Sequence, residues 1–157
     1  MGKKYYKAYD DRYRQIHEQD LQWSSEMPSK IVIDTMQAAS LPTNSKILEI
    51  GCGEGRDAYP LLTQGFDVLA IDVSCEAVDY CKKKFPNFAQ YFQVVDCVTE
   101  KLNQKFDFIY AVAVVHMLVL DNDRNAFYRF IREHLSSNGE NRTNCKYFLP
   151  NSQFCDL

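Results

Sequence analysis

A chain of 157 residues, 46% hydrophobic and 25% charged, has the balance of one globular domain rather than of a disordered or fibrous chain. Its formal charge of -3 argues against a broad electrostatic grip on nucleic acid. No apolar run approaches the roughly 20 residues that cross a bilayer, and none follows Lys3 and Lys4, so neither a membrane partner nor a signal peptide is expected.

From Tyr5 to about Gln22 the chain is rich in tyrosine and charge. Tyr9, Tyr13 and Ile16 recur at i, i+4 and i+7, the stripe of an amphipathic helix. Pro28 suits the first position of a second helix, with Ile31, Thr35, Ala38 and Ala39 on its apolar side; Leu41-Pro42-Thr43-Asn44 breaks it. From Lys46 strand and helix alternate. Ile47 to Ile50 reads as a buried strand, Gly51 to Gly55 as a turn, and Asp57 to Thr63 as a helix that Gly65 caps. Phe66 to Ile71 is a second strand ending at Asp72. Ser74 then N-caps a helix with Ala77, Val78, Cys81 and Phe85 on one face, stopped by Pro86 and Asn87. Tyr91 to Val95 is a third strand ending at Asp96, and Phe106 to Val112 a fourth. Asp121-Asn122-Asp123 is expected to cap a last helix, on which Phe127, Phe130, Ile131 and Leu135 share a face. Strands separated by helices imply right-handed crossovers and a parallel sheet covered on both sides. After Leu135 the pattern fails, and only Lys146 to Leu149 reads as a further strand.

Chemistry concentrates on one edge of that sheet. Glu49-Ile50-Gly51-Cys52-Gly53-Glu54-Gly55 falls between a buried strand and a helix start. Glycines there permit a tight turn and let backbone approach a ligand closely. The spacing is GxGxG, with Arg56 where a dinucleotide fingerprint wants glycine, which favours a ligand without pyrophosphate. The alternative is a tight turn that holds nothing. Asp72 ends the next strand, where a carboxylate can accept from both hydroxyls of a ribose; alone it would read as a solvated loop residue. Asp96, with Cys97, ends the third strand on the same edge. It either accepts from an exocyclic amine such as adenine's or caps the local turn.

Lys46 to Leu135 resembles the class I S-adenosylmethionine-dependent methyltransferases, in particular the small-molecule methyltransferase-domain group. Ile47 to Gly55 is similar to the family's first motif, Ala70 to Ser74 to its second, Val94 to Cys97 to its third and Phe106 to Leu118 to its fourth. Arg56-Asp57-Ala58 is similar to variants that include thiopurine- and tellurite-type methyltransferases. The resemblance implies S-adenosyl-L-methionine as cofactor, with Gly51, Gly53 and Gly55 along its methionine part. Glu49 would fix the turn and, directly or through water, the amino group. Asp72 would hold the ribose, and Asp96 and Cys97 the adenine; Cys52, Val73 and Ala111 would complete the cofactor's lining. The fold implied is α/β, a Rossmann-like doubly wound parallel sheet with N-terminal helices, incomplete at its C-terminal side.

One domain is therefore expected over residues 1–157: a helical lid at 1–45, a cofactor-binding core at 46–135 and an atypical short tail at 136–157. The tyrosines of the first helix admit three readings: a lid over the cofactor, core for that helix, or a stacking patch for single-stranded nucleic acid. A methyl on a sulfonium needs chiefly alignment, and a base only when the acceptor must lose a proton. His116, just after the fourth strand, is placed to be that base or to pack beside the cofactor. No Asn-Pro-Pro-Tyr or Asp-Pro-Pro-Tyr run is present, which argues against methylation of nucleobase amines. The six cysteines form no CxxC pair and no zinc-ligand spacing, so no metal is expected, and reduced thiols in a cytoplasmic protein are the simplest reading. A short C-terminus would bare a sheet edge, favouring self-association or low stability. The expected function is methyl transfer to a small-molecule acceptor; the alternatives are a module that binds S-adenosylmethionine without transfer and, disfavoured by Arg56, a nicotinamide-dependent oxidoreductase.

Overall fold

The computed structural model describes residues 6–136 and the backbone of two short strands at 146–148 and 154–156. Helices α1 (Lys7–His17) and α2 (Lys30–Ala39) precede an alternating series: β1 (Lys46–Ile50), α3 (Ala58–Thr63), β2 (Asp67–Asp72), α4 (Cys75–Lys84), β3 (Phe92–Val94), β4 (Phe108–Ala111) and α5 (Asp121–His134). The hairpin strands β5 (Lys146–Phe148) and β6 (Phe154–Asp156) follow. Four strands form one parallel sheet in the order β3-β2-β1-β4. All their carboxyl ends therefore lie along one edge, as the alternating sequence pattern predicts.

Alternate strand residues supply two cores. Leu48, Ile50, Leu69, Ile71 and Ile109 face Phe127, Phe130 and Ile131 of α5. Ile47, Val68, Ala70, Phe108 and Tyr110 face Val32 and Met36 of α2, Leu61 and Leu62 of α3, and Val78 and Cys81 of α4. Strands buried on both faces read as continuous apolar runs, which is why the sequence marks them so clearly. Glu49 is the exception: it lies between Leu48 and Ile50, opposite Tyr110 on β4, on the second of these faces.

Three helix starts differ from expectation. Pro28 stands ahead of α2, whose cap position is Ser29, and Ser29 turns its hydroxyl to Asp57 instead of to its own helix. Asp57 holds the corresponding position of α3 and is likewise diverted. Leu120, not the acidic triplet, precedes α5; Asp121 and Asp123 sit in its first turn, where they face the positive end of the helix dipole. Ser74 does cap α4, its Oγ accepting from Ala77 N–H at 3.2 Å.

The expected strand near Lys146 forms, but it pairs antiparallel with β6 in a separate two-stranded sheet and runs beside β4. Leu135 makes a parallel bridge to Phe106. β4 stays an edge strand, with β1 as its one partner in the four-stranded sheet, as the expected unpaired edge requires, but Phe108, Ile109, Tyr110 and Ala111 are themselves buried. Leu149 lies outside the described residues, as does the rest of the polar tail. Among the described residues, no helix is long and apolar enough to cross a membrane.

Candidate functional site

The glycine turn leaves the carboxyl end of β1 with Gly51, Gly53 and Gly55 at φ of 77°, 52° and 78°, a backbone that L side chains rarely adopt. Gly51 and Cys52 donate their N–H groups to Ile71 O, tying the turn to β2. A Cβ on Gly51 would meet Val114 Cγ2 at 2.4 Å, and one on Gly53 would meet the Tyr13 hydroxyl at 2.9 Å. These two glycines let Val114 and Tyr13 pack closely over bare backbone, which forms part of the wall of a cavity of about 430 Å3. Gly55 backs instead onto Phe85, Cys81 and Phe92 in the core.

Asp72 ends β2 beside that turn. Its Oδ2 accepts from Gly53 N–H at 2.8 Å and its Oδ1 from Ser74 N–H at 2.9 Å, leaving further lone pairs on both oxygens for a diol. Burial pushes its pKa above the ordinary aspartate range, against the pull of those N–H donors. Glu49 is also buried, and its Oε2 has no hydrogen-bond partner. Burial, reinforced by Asp57, holds its pKa well above the usual value, against the opposing pull of the buried Tyr110 hydroxyl beside it and of Arg56. A buried carboxylate oxygen without a donor is costly; an ammonium group would satisfy it.

The cavity brings together Glu49, Gly51, Cys52, Gly53, Asp72, Val73, Cys97 and His116. Gly55, Asp96 and Ala111 are not among its walls. Asp96 caps its own turn, its carboxylate accepting from Val98 N–H and the Thr99 hydroxyl at 3.0 Å each. Ala111 is buried opposite Ile50. Cys97 is a neutral wall, its thiol pushed up to about 12 by burial and the nearby Asp96. Cys52 contacts Cys81, and that contact with burial drives its pKa well up. His116 is exposed, on a short 3-10 turn at Val115–Met117.

The other wall comes from the N-terminal segment, through Tyr9, Tyr13, Trp23, Ser24 and Ser25. No residue of α1 is fully buried; Tyr9 stacks on Trp23 at 6.0 Å, and Tyr13 tilts against it at 5.1 Å. Glu54 fastens this wall. Its side chain is fully buried and accepts from Trp23 N–H (2.8 Å), Ser24 N–H (2.6 Å) and the Ser24 hydroxyl (2.6 Å), with His17 Nε2 at 2.9 Å. Burial alone would raise its pKa, but those partners hold it below the usual value. Farther along α1, Asp10 accepts from the Ser74 hydroxyl at 2.6 Å and Arg14 pairs with Glu76 at 2.8 Å. Glu54 and Asp57 are absent from the sequence-based set because their partners lie 28 to 37 residues upstream. Among the described residues no cluster of three or more His, Cys, Asp or Glu is arranged to hold a metal.

The lining fits S-adenosylmethionine on three counts: a buried carboxyl oxygen at Glu49 without a hydrogen bond, a carboxylate at the end of β2, and a bare-backbone glycine turn between them that tolerates no side chain. The chain matches the methyltransferase domain family over residues 47–139. It is 33% identical over 93 residues to a probable thiol methyltransferase 2 of Arabidopsis thaliana, covering 56% of this chain and 40% of that protein. It is 32% identical over 88 residues to a magnesium-protoporphyrin O-methyltransferase of Rhodobacter capsulatus, covering 50% and 39%. The matches thus span about two fifths of the length of these curated relatives. A TehB-like SAM-dependent methyltransferase structure from Corynebacterium glutamicum superposes with a TM-score of 0.59 at 26% identity, covering 89% of this chain and 68% of that one. The match covers more than half of the sequence and includes the glycine turn, Asp72 and the strands that carry them, and on that ground the chain belongs to the methyltransferase-domain family, as a class I, S-adenosylmethionine-dependent member.

Proposed function

We propose that the chain transfers the methyl group of S-adenosylmethionine to a small-molecule acceptor. The observation that carries this reading is the single cavity that joins Glu49, the bare glycine turn and Asp72 to an aromatic N-terminal wall. When bound, S-adenosylmethionine supplies a methyl group already activated by its sulfonium. The protein's part is to align and enclose. Glu49 takes the ammonium, Asp72 the ribose hydroxyls, and Val73 and Cys97 flank the base. Asp96 acts by shaping the turn that carries Cys97. Tyr9, Tyr13 and Trp23 serve as a lid that excludes water and leaves a mouth beside His116 and Met117 for the acceptor.

His116 is exposed at that mouth and takes the acceptor's proton where one must leave. In this reading His116→Ala lowers turnover about 10²- to 10⁴-fold while affinity for S-adenosylhomocysteine is unchanged. The relatives' names put sulfur and oxygen acceptors, thiols and carboxylates among them, first in an acceptor panel. Incubating the protein with methyl-labelled S-adenosylmethionine and such a panel should give labelled product. Binding without transfer to any member would mean a cofactor-binding module only, and no binding would remove the reading altogether.

A further inference from the structure

Among the described residues, Asp20, Ser40 and Ala113 are the non-glycine positions with positive φ. Ser40 closes α2 as its left-handed cap, and Asp20 ends the turn after α1, its N–H donating to His17 O at 3.1 Å. Both follow a helix, where a left-handed residue is common. Ala113, at φ 57°, follows β4 instead and lies on the cavity wall, where no helix end calls for that conformation. Beyond it Val114 packs onto the bare backbone of Gly51, and the 3-10 turn of Val115–Met117 sets His116 at the mouth. A strained backbone persists only where its surroundings fix it. Val115 and Leu118 are anchored in the core beneath α5, but Val119 and Leu120 are exposed, so packing does not hold that end. Arg124 of α5 does: its Nη1 donates to Leu118 O at 2.7 Å and to Val119 O at 2.9 Å, while its Nη2 pairs with Asp121. Arg124 itself is not among the cavity walls.

We propose that Arg124 and Ala113 are positioning residues for the cavity mouth. The guanidinium clamps the carboxyl end of residues 113–119, and the clamp holds Ala113 in its strained conformation and His116 in place. This rests on the reading of His116 as the group that meets the acceptor, and extends it to two residues that act on it through the backbone. A guanidinium suits the task because its charge strengthens each bond and its planar fork fixes their directions. The two residues are linked in energy. When the clamp opens, the strain at Ala113 drives the segment away from Gly51; without that strain, the clamp has little left to hold.

The Met117 and Leu118 N–H groups, which donate to Val114 O at 2.9 Å and Val115 O at 3.1 Å, report on this segment by amide exchange in the full chain. Arg124→Met, which keeps the aliphatic stem, is expected to speed exchange at these two amides about 10- to 100-fold. Exchange at Phe130 and Ile131 of α5 should stay as it is, and affinity for S-adenosylhomocysteine should change less than about twofold. Asp121→Asn removes the ion pair but leaves the clamp, and should not speed the two amides. Ala113→Gly removes the strain and, added to Arg124→Met, should bring both amides back to within about threefold of the unaltered protein. Transfer from methyl-labelled S-adenosylmethionine to phenylmethanethiol should follow the same course. In Arg124→Met kcat should fall about 10- to 100-fold with KM for S-adenosylmethionine unchanged, and kcat should recover in the double variant. Faster exchange along all of α5, or no recovery with Ala113→Gly, would mean that Arg124 only braces the helix. Selective exchange with an unchanged kcat would mean that the position of the mouth is without consequence. Each of these results overturns the proposal. An unaltered protein that transfers no methyl group would count instead against the proposed function, with the exchange comparison still deciding the clamp.

Discussion

Glu49 is the residue at which stability and binding pull apart. A carboxyl that is buried, with one oxygen unpartnered, favours the protonated form in the folded chain and sits well above its ordinary pKa. The unfolded chain ionises Glu49 near pH 4.3. Below that pH both states carry the proton; as pH rises toward and past the raised folded value, ionisation favours unfolding. Glu49→Gln removes this penalty. The ligand-free variant is expected to be about 1–2 kcal/mol more stable near pH 7, with the gap closing toward pH 4, while its affinity for S-adenosylhomocysteine falls. Melting curves at a series of pH values check the sign; a variant less stable at neutral pH would show that Glu49 is better satisfied than its free oxygen indicates. Gly51 makes the opposite kind of test. Gly51→Ala combines a φ of 77° with a 2.4 Å approach to Val114, and should cost about 1–3 kcal/mol and abolish measurable ligand binding. Adding Val114→Ala relieves the collision but not the backbone strain, so calorimetry should recover only part of the affinity.

At the scale of elements, Glu54 fastens the N-terminal segment against the cavity. Glutamine in its place turns an amide NH2 toward partners that are mostly donors, and the expected loss is roughly 1.5–3 kcal/mol. Trp23 is the only tryptophan of the chain, so its fluorescence reads the change directly, and amide exchange should accelerate across residues 7–24. Because Glu54 is held below the usual carboxylate range, its stabilisation is present above about pH 4.3 and is lost as pH falls through the folded value. An acid transition in Trp23 emission should therefore appear in the unaltered protein and vanish in Glu54→Gln. The order of strands and helices was legible because runs such as Ile47–Ile50 and Val68–Ile71 are buried on both faces and bounded by glycine, proline and cap residues. The glycine turn and Asp72 were legible for a local reason too, each lying at a strand's carboxyl end. Glu54, Asp57 and Arg56 were not legible as residues of the cavity wall. Their partners come from residues 17 to 29, brought across by tertiary packing that no local spacing announces. Asp96 shows the reverse problem: its position at a strand end fits both a ligand contact and a turn cap, and only coordinates reveal the bonds to Val98 and Thr99.

For the molecule as a whole, the cavity is where separately packed bodies meet. Val95, Cys97 and Leu118, with Val114 packed beside them, reach it from the core beneath α5, Cys52 from the core beneath α2 to α4, and Tyr9, Tyr13 and Trp23 from the segment fastened by Glu54. A ligand that touches all three stabilises only the arrangement in which they are assembled, so binding and global stability are linked. S-adenosylhomocysteine at 100 times its Kd should add about 2.7 kcal/mol, which for a chain of this size raises the melting temperature by roughly 5–10 °C. NAD should give no shift, since Arg56 stands where a pyrophosphate-binding turn has glycine. Exchange protection should rise in the 7–24 segment together with the melting temperature, and Glu54→Gln should keep part of the thermal shift while losing that protection. If instead the shift appeared with no added protection at 7–24, the ligand would be held by the sheet edge alone, and the aromatic wall would have to be assigned to the acceptor.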